Sequence, residues 1–285
     1  MTQARIFDPR SCFLGEGPLW HPERQQLFWF DIIHKRLRSR RDEAALEWQF
    51  EEHFSAAGRI DADTLLLASE TGLWSFDIDS GRKERFLTLE ADKPQTRSND
   101  GRADPQGGFW IGTMGKQAER DAGAIHRYFE GRIETIFMGI TIPNAICFAP
   151  DGRTAYFADT PTQKILRQPL DPEGWPEGAP ELFLDLAPEG LYPDGAVVDA
   201  EGALWSAQWG AGRVARYLPD GQLERVVQLA GSQSTCPAFG GPDGETLFVT
   251  SAQEGLEHPD SAQGLVYCIE TGIKGQQEHR VRMTR

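Results

Sequence analysis

The stretch Pro150–Thr160, PDGRTAYFADT, is a turn rich in Asp, Gly and Pro, then an aromatic-bearing apolar run, then a small or polar residue. Outward from it the same phrase returns. Toward the N-terminus it reads DPQGGFWIGTM from Asp104, DADTLLLASETGLWSFD from Asp61 and HPERQQLFWFD from His21. Toward the C-terminus it reads DAEGALWSAQW from Asp199 and PDGETLFVTSA from Pro242. Successive starts lie roughly 40 to 50 residues apart, the period of four-stranded propeller blades. A single blade cannot bury both its faces, so blades stack radially and the ring must close. Six copies predict an all-β fold, a six-bladed β-propeller, as one domain over residues 1–285.

Composition agrees. Hydrophobic residues make up 39% of the chain, with 8 Trp and 16 Phe to fill a core, and 30 Gly and 18 Pro suit many short strands and turns. The formal net charge of −14 argues against a nucleic-acid partner, which needs clustered Lys and Arg, and clustered carboxylates would attract a cation. No apolar run approaches a membrane span, and no basic-then-apolar start reads as a secretory signal. Cys12, Cys147, Cys236 and Cys268 are scattered without a CxxC pair, so reduced, unpaired thiols and a cytoplasmic location are expected.

Between the repeats lie runs that alternate polar and apolar residues, such as HRYFEGRIETIF and RYLPDGQLERVV, broken by turns at Glu130-Gly131 and Asp220-Gly221. The N-terminal ARIFD is expected to add a strand to the last blade, formed after Gly264, so that Met1–Cys12 closes the ring. The basic tail HRVRMTR is expected to fray.

Four segments carry polar residues that a propeller does not require. In CFLGEGPLW, Glu16 sits between two glycines and is either a hard-oxygen metal ligand or a solvated turn carboxylate. In TRSNDGRADPQGGFWIGTM, Arg97 and Asn99 are natural donors to sugar hydroxyls and carboxylates, while Asp100-Gly101 and Asp104-Pro105 read as turns with surface charge. In ITIPNAICFAP, Asn144 is either a capped turn or an inward ligand. In EGLYPDGAVVDAEGALW, Asp194 sits in a Pro-Asp-Gly shape shared with Asp151, Asp220 and Asp243, but a second turn signature follows at Asp199-Glu201-Gly202, which leaves Asp194 available for function. Glu16, Asn144 and Asp194 together offer carboxylate, amide and carboxylate oxygens, a set that suits one divalent ion: Ca²⁺, Mg²⁺, Mn²⁺, Zn²⁺ or iron. No HExxH, GxSxG or phosphate-loop signature competes. Trp29, Trp74, Trp110 and Trp205 read as packing, and Trp209 as packing or the lining of a channel mouth.

The strings GEGPLW, RSNDGRADPQGGFWIGTM, IPNAICFAPDGRTAYFADT and PDGAVVDAEGALWSAQWG, in that order, resemble the gluconolactonase, regucalcin and senescence-marker-protein family of sugar lactonases. The resemblance implies a six-bladed propeller with one ion in a central metal-binding channel, held by Glu16, Asn144 and Asp194. It also implies Asp194 as general base, with Arg97 and Asn99 on the substrate. Where animal regucalcins place a substrate-contacting Glu after GTM, this chain has Gln117, which leaves Lys116 and Glu119 as nearby substrate-binding candidates. The implied activity is hydrolysis of an aldonolactone such as glucono-, arabinono- or xylonolactone by a monomer or weak homo-oligomer. The alternatives are a non-enzymatic cation- or metabolite-binding propeller and a promiscuous phosphotriesterase- or aryl-esterase-like hydrolase.

Overall fold

The computed structural model describes residues 2–283. Its strands form six antiparallel sheets of consecutive hairpins. Blade I comprises Gly15–His21, Gln26–Asp31, Arg36–Arg41 and Ala44–Gln49, and blade II Phe54–Arg59, Thr64–Ser69, Gly72–Asp77 and Lys83–Thr88. Blade III comprises Thr96–Ala103, Phe109–Gly115, Gly123–Phe129 and Arg132–Ile140, and blade IV Pro143–Phe148, Thr154–Asp159, Lys164–Pro169 and Glu181–Asp185. Blade V comprises Tyr192–Val198, Leu204–Trp209, Arg213–Tyr217 and Leu223–Gln228. Blade VI takes Gln233–Gly240, Thr246–Ala252 and Val266–Glu270 from the end of the chain and Arg5–Asp8 from its beginning. The six repeat phrases supply the second strand of each blade. The first strands touch one another in turn around the ring, I to II through VI to I, and so line the central axis.

The apolar face of each repeat explains the stacking. Trp29, Trp110 and Trp205 are fully buried, and the aromatic and aliphatic residues of neighbouring blades form shared clusters, such as Phe28, Phe30 and Leu37 of blade I with Phe54, Leu65 and Phe76 of blade II. Burying such a side chain contributes about 1.5–3 kcal/mol. At Glu130-Gly131 both residues have positive φ, 49° and 79°, the conformation that a two-residue hairpin turn requires. Among the described residues the only helical turns are Thr160–Thr162 and Ala187–Glu189. Among the described residues no helix is long and apolar enough to cross a membrane. All four cysteines are buried and free, as their spacing suggested.

Ring closure follows the expected route, with an addition. Arg5–Asp8 pairs antiparallel with Val266–Glu270 (Arg5 opposite Cys268, Ile6 opposite Tyr267). Ahead of it, Thr2–Gln3 lies parallel to the last strand of blade V, Thr2 opposite Val227, so the N-terminal segment seals two blades. Met1 is outside the described residues.

The expectation that the basic tail frays is overturned as far as Met283; residues 284–285 lie outside the described range. The segment crosses the face opposite the start of the first strands. Just ahead of it, Gly275 N–H donates to Gly244 O at 2.9 Å, and Gln276 Nε2 donates to Phe148 O and Val198 O at 2.8 and 3.0 Å. Glu278 pairs with the buried Arg102, and Val281 N–H donates to Arg59 O at 2.7 Å. The Val281 side chain is only 2% exposed, packed with Phe109 and Tyr128. One apolar residue and backbone bonds to several blades outweigh the tail's positive charge. A Cβ at Gly275 would stand 2.0 Å from the Phe239 Cβ, an atom fixed by its own backbone. Gly275→Ala is therefore expected to destabilise the fold by about 1–3 kcal/mol, seen as a lower urea midpoint, whereas a wild-type midpoint would show that the strap adds nothing.

Candidate active site

Each first strand slips register against the second strand of its blade within its opening residues. The shifts fall at Glu16/Leu19, Phe54/Ala56, Ser98/Gly101, Asn144/Cys147, Pro193/Ala196 and Ser234/Pro237. A bulge bends its strand and re-aims the adjoining side chains. Glu16, Asn99, Asn144 and Asp194 all stand at these bulges, and all are buried. The residue after Glu16 is Gly17, with φ 54°, where a Cβ would lie 2.3 Å from Ser55 O. Ala145, after Asn144, takes the same left-handed conformation, φ 56°, without being glycine and while fully buried. Such a residue costs roughly 1–3 kcal/mol and persists only where its surroundings impose it.

Hydrogen bonds join four of the sequence-derived candidates to one another or to their strands. Arg97 Nη1 donates to Ser98 O at 2.9 Å and to Asn99 Oδ1 at 2.8 Å. Asn99 Nδ2 donates to Asn144 Oδ1 and to Pro143 O, both at 3.0 Å. Asn144 Nδ2 donates to Thr160 Oγ1 at 2.9 Å, and Thr160 Oγ1 donates to Pro193 O, beside Asp194, at 2.8 Å. Glu16 Oε2 accepts the Gly17 N–H at 2.9 Å.

Electrostatics ties the carboxylates into the same site. Burial pushes Glu16 up to about 8, and the Asp100 charge pushes in the same direction, against Arg97. Burial also lifts Asp194 well above the ordinary carboxylate range, with Glu16 and Asp100 adding to it. Asp100 rises to about 6 by burial, opposed by Arg102. Glu254 is raised by burial and opposed by Arg97. Arg97 is lowered by burial while Glu254, Glu16 and Asp194 favour its charge. The site is thus a set of mutually repelling carboxylates offset by two guanidinium groups, Arg97 and Arg102.

Two readings of the sequence need correction. Asp100-Gly101 is not a turn: both lie inside the strand Thr96–Ala103, and Asp100 Oδ2 accepts the Ile146 N–H of blade IV at 2.7 Å. Asp104 does head a turn, accepting the Gln106 and Gly108 N–H groups, but it is fully buried and ion-paired with Arg127 at 2.7 Å rather than a surface charge. Asp194 lies in a strand, Tyr192–Val198, and the turn belongs to Asp199, the second of the two signatures, which accepts the Glu201 and Ala203 N–H groups. Lys116 and Glu119 stand apart from the buried network. Lys116 is exposed and pairs with Glu70, which also holds His53 at 3.1 Å, and Glu119 Oε2 accepts the Gln117 N–H at 3.0 Å. Trp209 is half-buried, its ring 3.6 Å from where a Gly255 Cβ would lie, next to Glu254.

Sequence reading missed Asp100, Thr160 and Glu254. Thr160 and Glu254 each follow a second strand, in ADT and SAQE, where a loop residue gives no sign that it turns toward the axis.

The donor set fits a hard divalent cation. Burial raises both Glu16 and Asp194, the Glu16 charge raises Asp194 further, and an ion would relieve that repulsion. The amide beside them is fixed: the Thr160 hydroxyl spends its hydrogen on Pro193 O, so Asn144 must point Nδ2 at Thr160 and turn Oδ1 away from it. Among the described residues no three His, Cys, Asp or Glu side chains form a metal-ligand group. An amide completes the candidate set here.

The chain is similar to known proteins over nearly its whole length. Residues 14–253 match the family model of the SMP-30/gluconolactonase/LRE-like region. A Rhizobium meliloti protein, by name a candidate sugar lactone lactonase, is 41% identical over 98% of this chain and 97% of its own. The pentonolactonase XacC of Haloferax volcanii is 34% identical over 98% of both. The crystal structure of regucalcin, a calcium-binding protein of Agrobacterium tumefaciens, superposes with a TM-score of 0.95 at 39% identity, over 99% of this chain and 98% of that one. The lactonases among these relatives are carboxylic-ester hydrolases by the bond their names specify. On the matched span and on these identities, the chain belongs to the SMP-30/gluconolactonase/LRE-like family.

Proposed function

We propose that this chain hydrolyses a sugar-acid lactone to the free aldonic acid, using a divalent ion held by Glu16, Asn144 and Asp194. The observation that carries the reading is the buried, mutually repelling pair Glu16 and Asp194 beside the Arg97–Asn99–Asn144 hydrogen-bond chain. A bound ion supplies a Lewis acid for the lactone carbonyl oxygen and lowers the pKa of water. Asp194 accepts the proton of the attacking water, and the opened ring leaves as carboxylate and alcohol. Arg97 commits Nη1 to Ser98 and Asn99, which leaves Nε and Nη2 as donors for ring hydroxyls. Lys116, held at the rim by Glu70, meets the distal end of the substrate, and Glu119 orders the loop that carries it.

The calcium-binding name of the Agrobacterium relative favours a second reading, cation binding without turnover. A pH-stat assay on glucono-, arabinono- and xylonolactone separates the two. Acid release that stops with chelator and returns with added ion supports the lactonase, and no release from any member of the panel supports the binder.

Asp194 and Asp243 share a Pro-Asp-Gly context but stand in a buried strand and an exposed turn. Asp194→Asn is expected to lower kcat by about 10²–10⁴-fold at saturating ion, the usual cost of a lost general base, with Asp243→Asn within a few-fold of wild type. Equal activity in both removes Asp194 from the chemistry.

Stability gives a second check. The Glu16 pKa is raised from 4.5 to about 8, so the folded protein holds a proton that the unfolded chain releases. Ion-free protein therefore loses this contribution as pH climbs through that range, and a cation, which displaces the proton, binds more tightly at the upper end. The rise in Tm on adding Mn²⁺ is expected to be larger at about pH 8 than at about pH 5. An equal rise at both, measured by scanning fluorimetry, would show that Glu16 does not meet the ion.

A further inference from the structure

Thr160 opens the short turn Thr160–Thr162 after the second strand of blade IV, and its hydroxyl is committed twice. It donates to Pro193 O at 2.8 Å and accepts from Asn144 Nδ2 at 2.9 Å. A carbonyl can only accept, so the single hydroxyl hydrogen is spent in blade V and only an N–H can meet Thr160 from blade IV. Turning the Asn144 amide over would set two acceptor oxygens face to face at Thr160. It would also set Nδ2 against Asn99 Nδ2, the donor that now reaches Oδ1 at 3.0 Å. The anchor is itself held: Thr160 N–H donates to Ile142 O at 3.1 Å, and Asp159 Oδ1 accepts the N–H groups of Thr141 and Ile142 at 3.1 and 2.9 Å. Those bonds fix the loop that leads directly into Pro143 and Asn144.

We infer that Thr160 is a positioning residue. It locks the Asn144 amide with its oxygen turned to the Asn99 side, and it ties blade IV to the backbone beside Asp194 in blade V. One hydroxyl thereby sets both the orientation of one candidate ligand and its spacing from another. The inference rests on the proposed lactonase site, because it concerns two of the residues assigned there to the ion.

Groups that orient metal ligands typically change affinity by about 10–100-fold when removed. Thr160→Val keeps the shape and removes both bonds, whereas Thr160→Ser keeps the hydroxyl. Titrating Mn²⁺ into chelator-treated protein by calorimetry, the Kd is expected to rise about 10–100-fold in Thr160→Val and to stay within about threefold of wild type in Thr160→Ser. A second readout needs no ion. The Asn144 side-chain NH₂ pair, identified in ¹H–¹⁵N spectra by its loss in Asn144→Asp, should shift or broaden in Thr160→Val and hold its position in Thr160→Ser. Unmoved Asn144 signals in Thr160→Val, or a wild-type Kd for Mn²⁺, overturn the inference. If the wild-type protein takes up no Mn²⁺, the metal reading fails, and the Asn144 signals alone decide whether Thr160 positions the amide.

Discussion

Glu16, Asp100, Asp194 and Glu254 lie in one another's field, three of them buried, and like charges in such a setting push apart. At an effective dielectric constant near 20, two unit charges about 4 Å apart interact by about 4 kcal/mol. The fold has to hold these groups where they would not go by themselves. Arg97 and Arg102 offset part of the repulsion, and protons or a cation must take the rest. A loose scaffold would relax by letting the carboxylates swing into water, so the site presupposes a rigid frame.

That frame is built from strand starts rather than loops. Glu16, Asn99, Asn144 and Asp194 sit where strands begin and bulge, each braced by the first strand of the next blade. The strained Ala145 shows the neighbours dictating a backbone conformation that the residue would not choose. On the opposite face the C-terminal strap bonds to Gly244, Phe148, Val198 and Arg59. Both ends of the axis are therefore under constraint, one by hydrogen bonds among polar side chains and the other by a peptide segment.

The blades were legible because each repeats a turn, an aromatic run and a small residue, and this pattern survives substitution of any one position. Glu16, Asn144 and Asp194 stood out because each broke the pattern. Asp100 did not, since Asn-Asp-Gly is also the commonest kind of turn sequence; only the bulge at Ser98/Gly101, a relation between two strands, draws it into a strand. The tail misled in the same way. Its composition speaks for solvent, and nothing local shows that Val281 has a slot between blades II and III. Thr160 reads as an ordinary loop residue because its two partners are Asn144 and Pro193, the second in another blade.

Arg5–Asp8 pairs with Val266–Glu270, a strand from which all of blades I to V separate it in sequence. During synthesis Arg5–Asp8 waits for its partner while blades I to V are made, and blade VI cannot be completed until Val266–Glu270 has emerged. Pairing of such long sequence separation slows folding, and an unsatisfied strand edge invites other chains. The nascent protein is thus vulnerable until Val266–Glu270 has been made. A circular permutant that begins between two other blades and links residue 285 to residue 1 would make Arg5–Asp8 and Val266–Glu270 near neighbours in sequence, and closure would no longer wait on blades I to V.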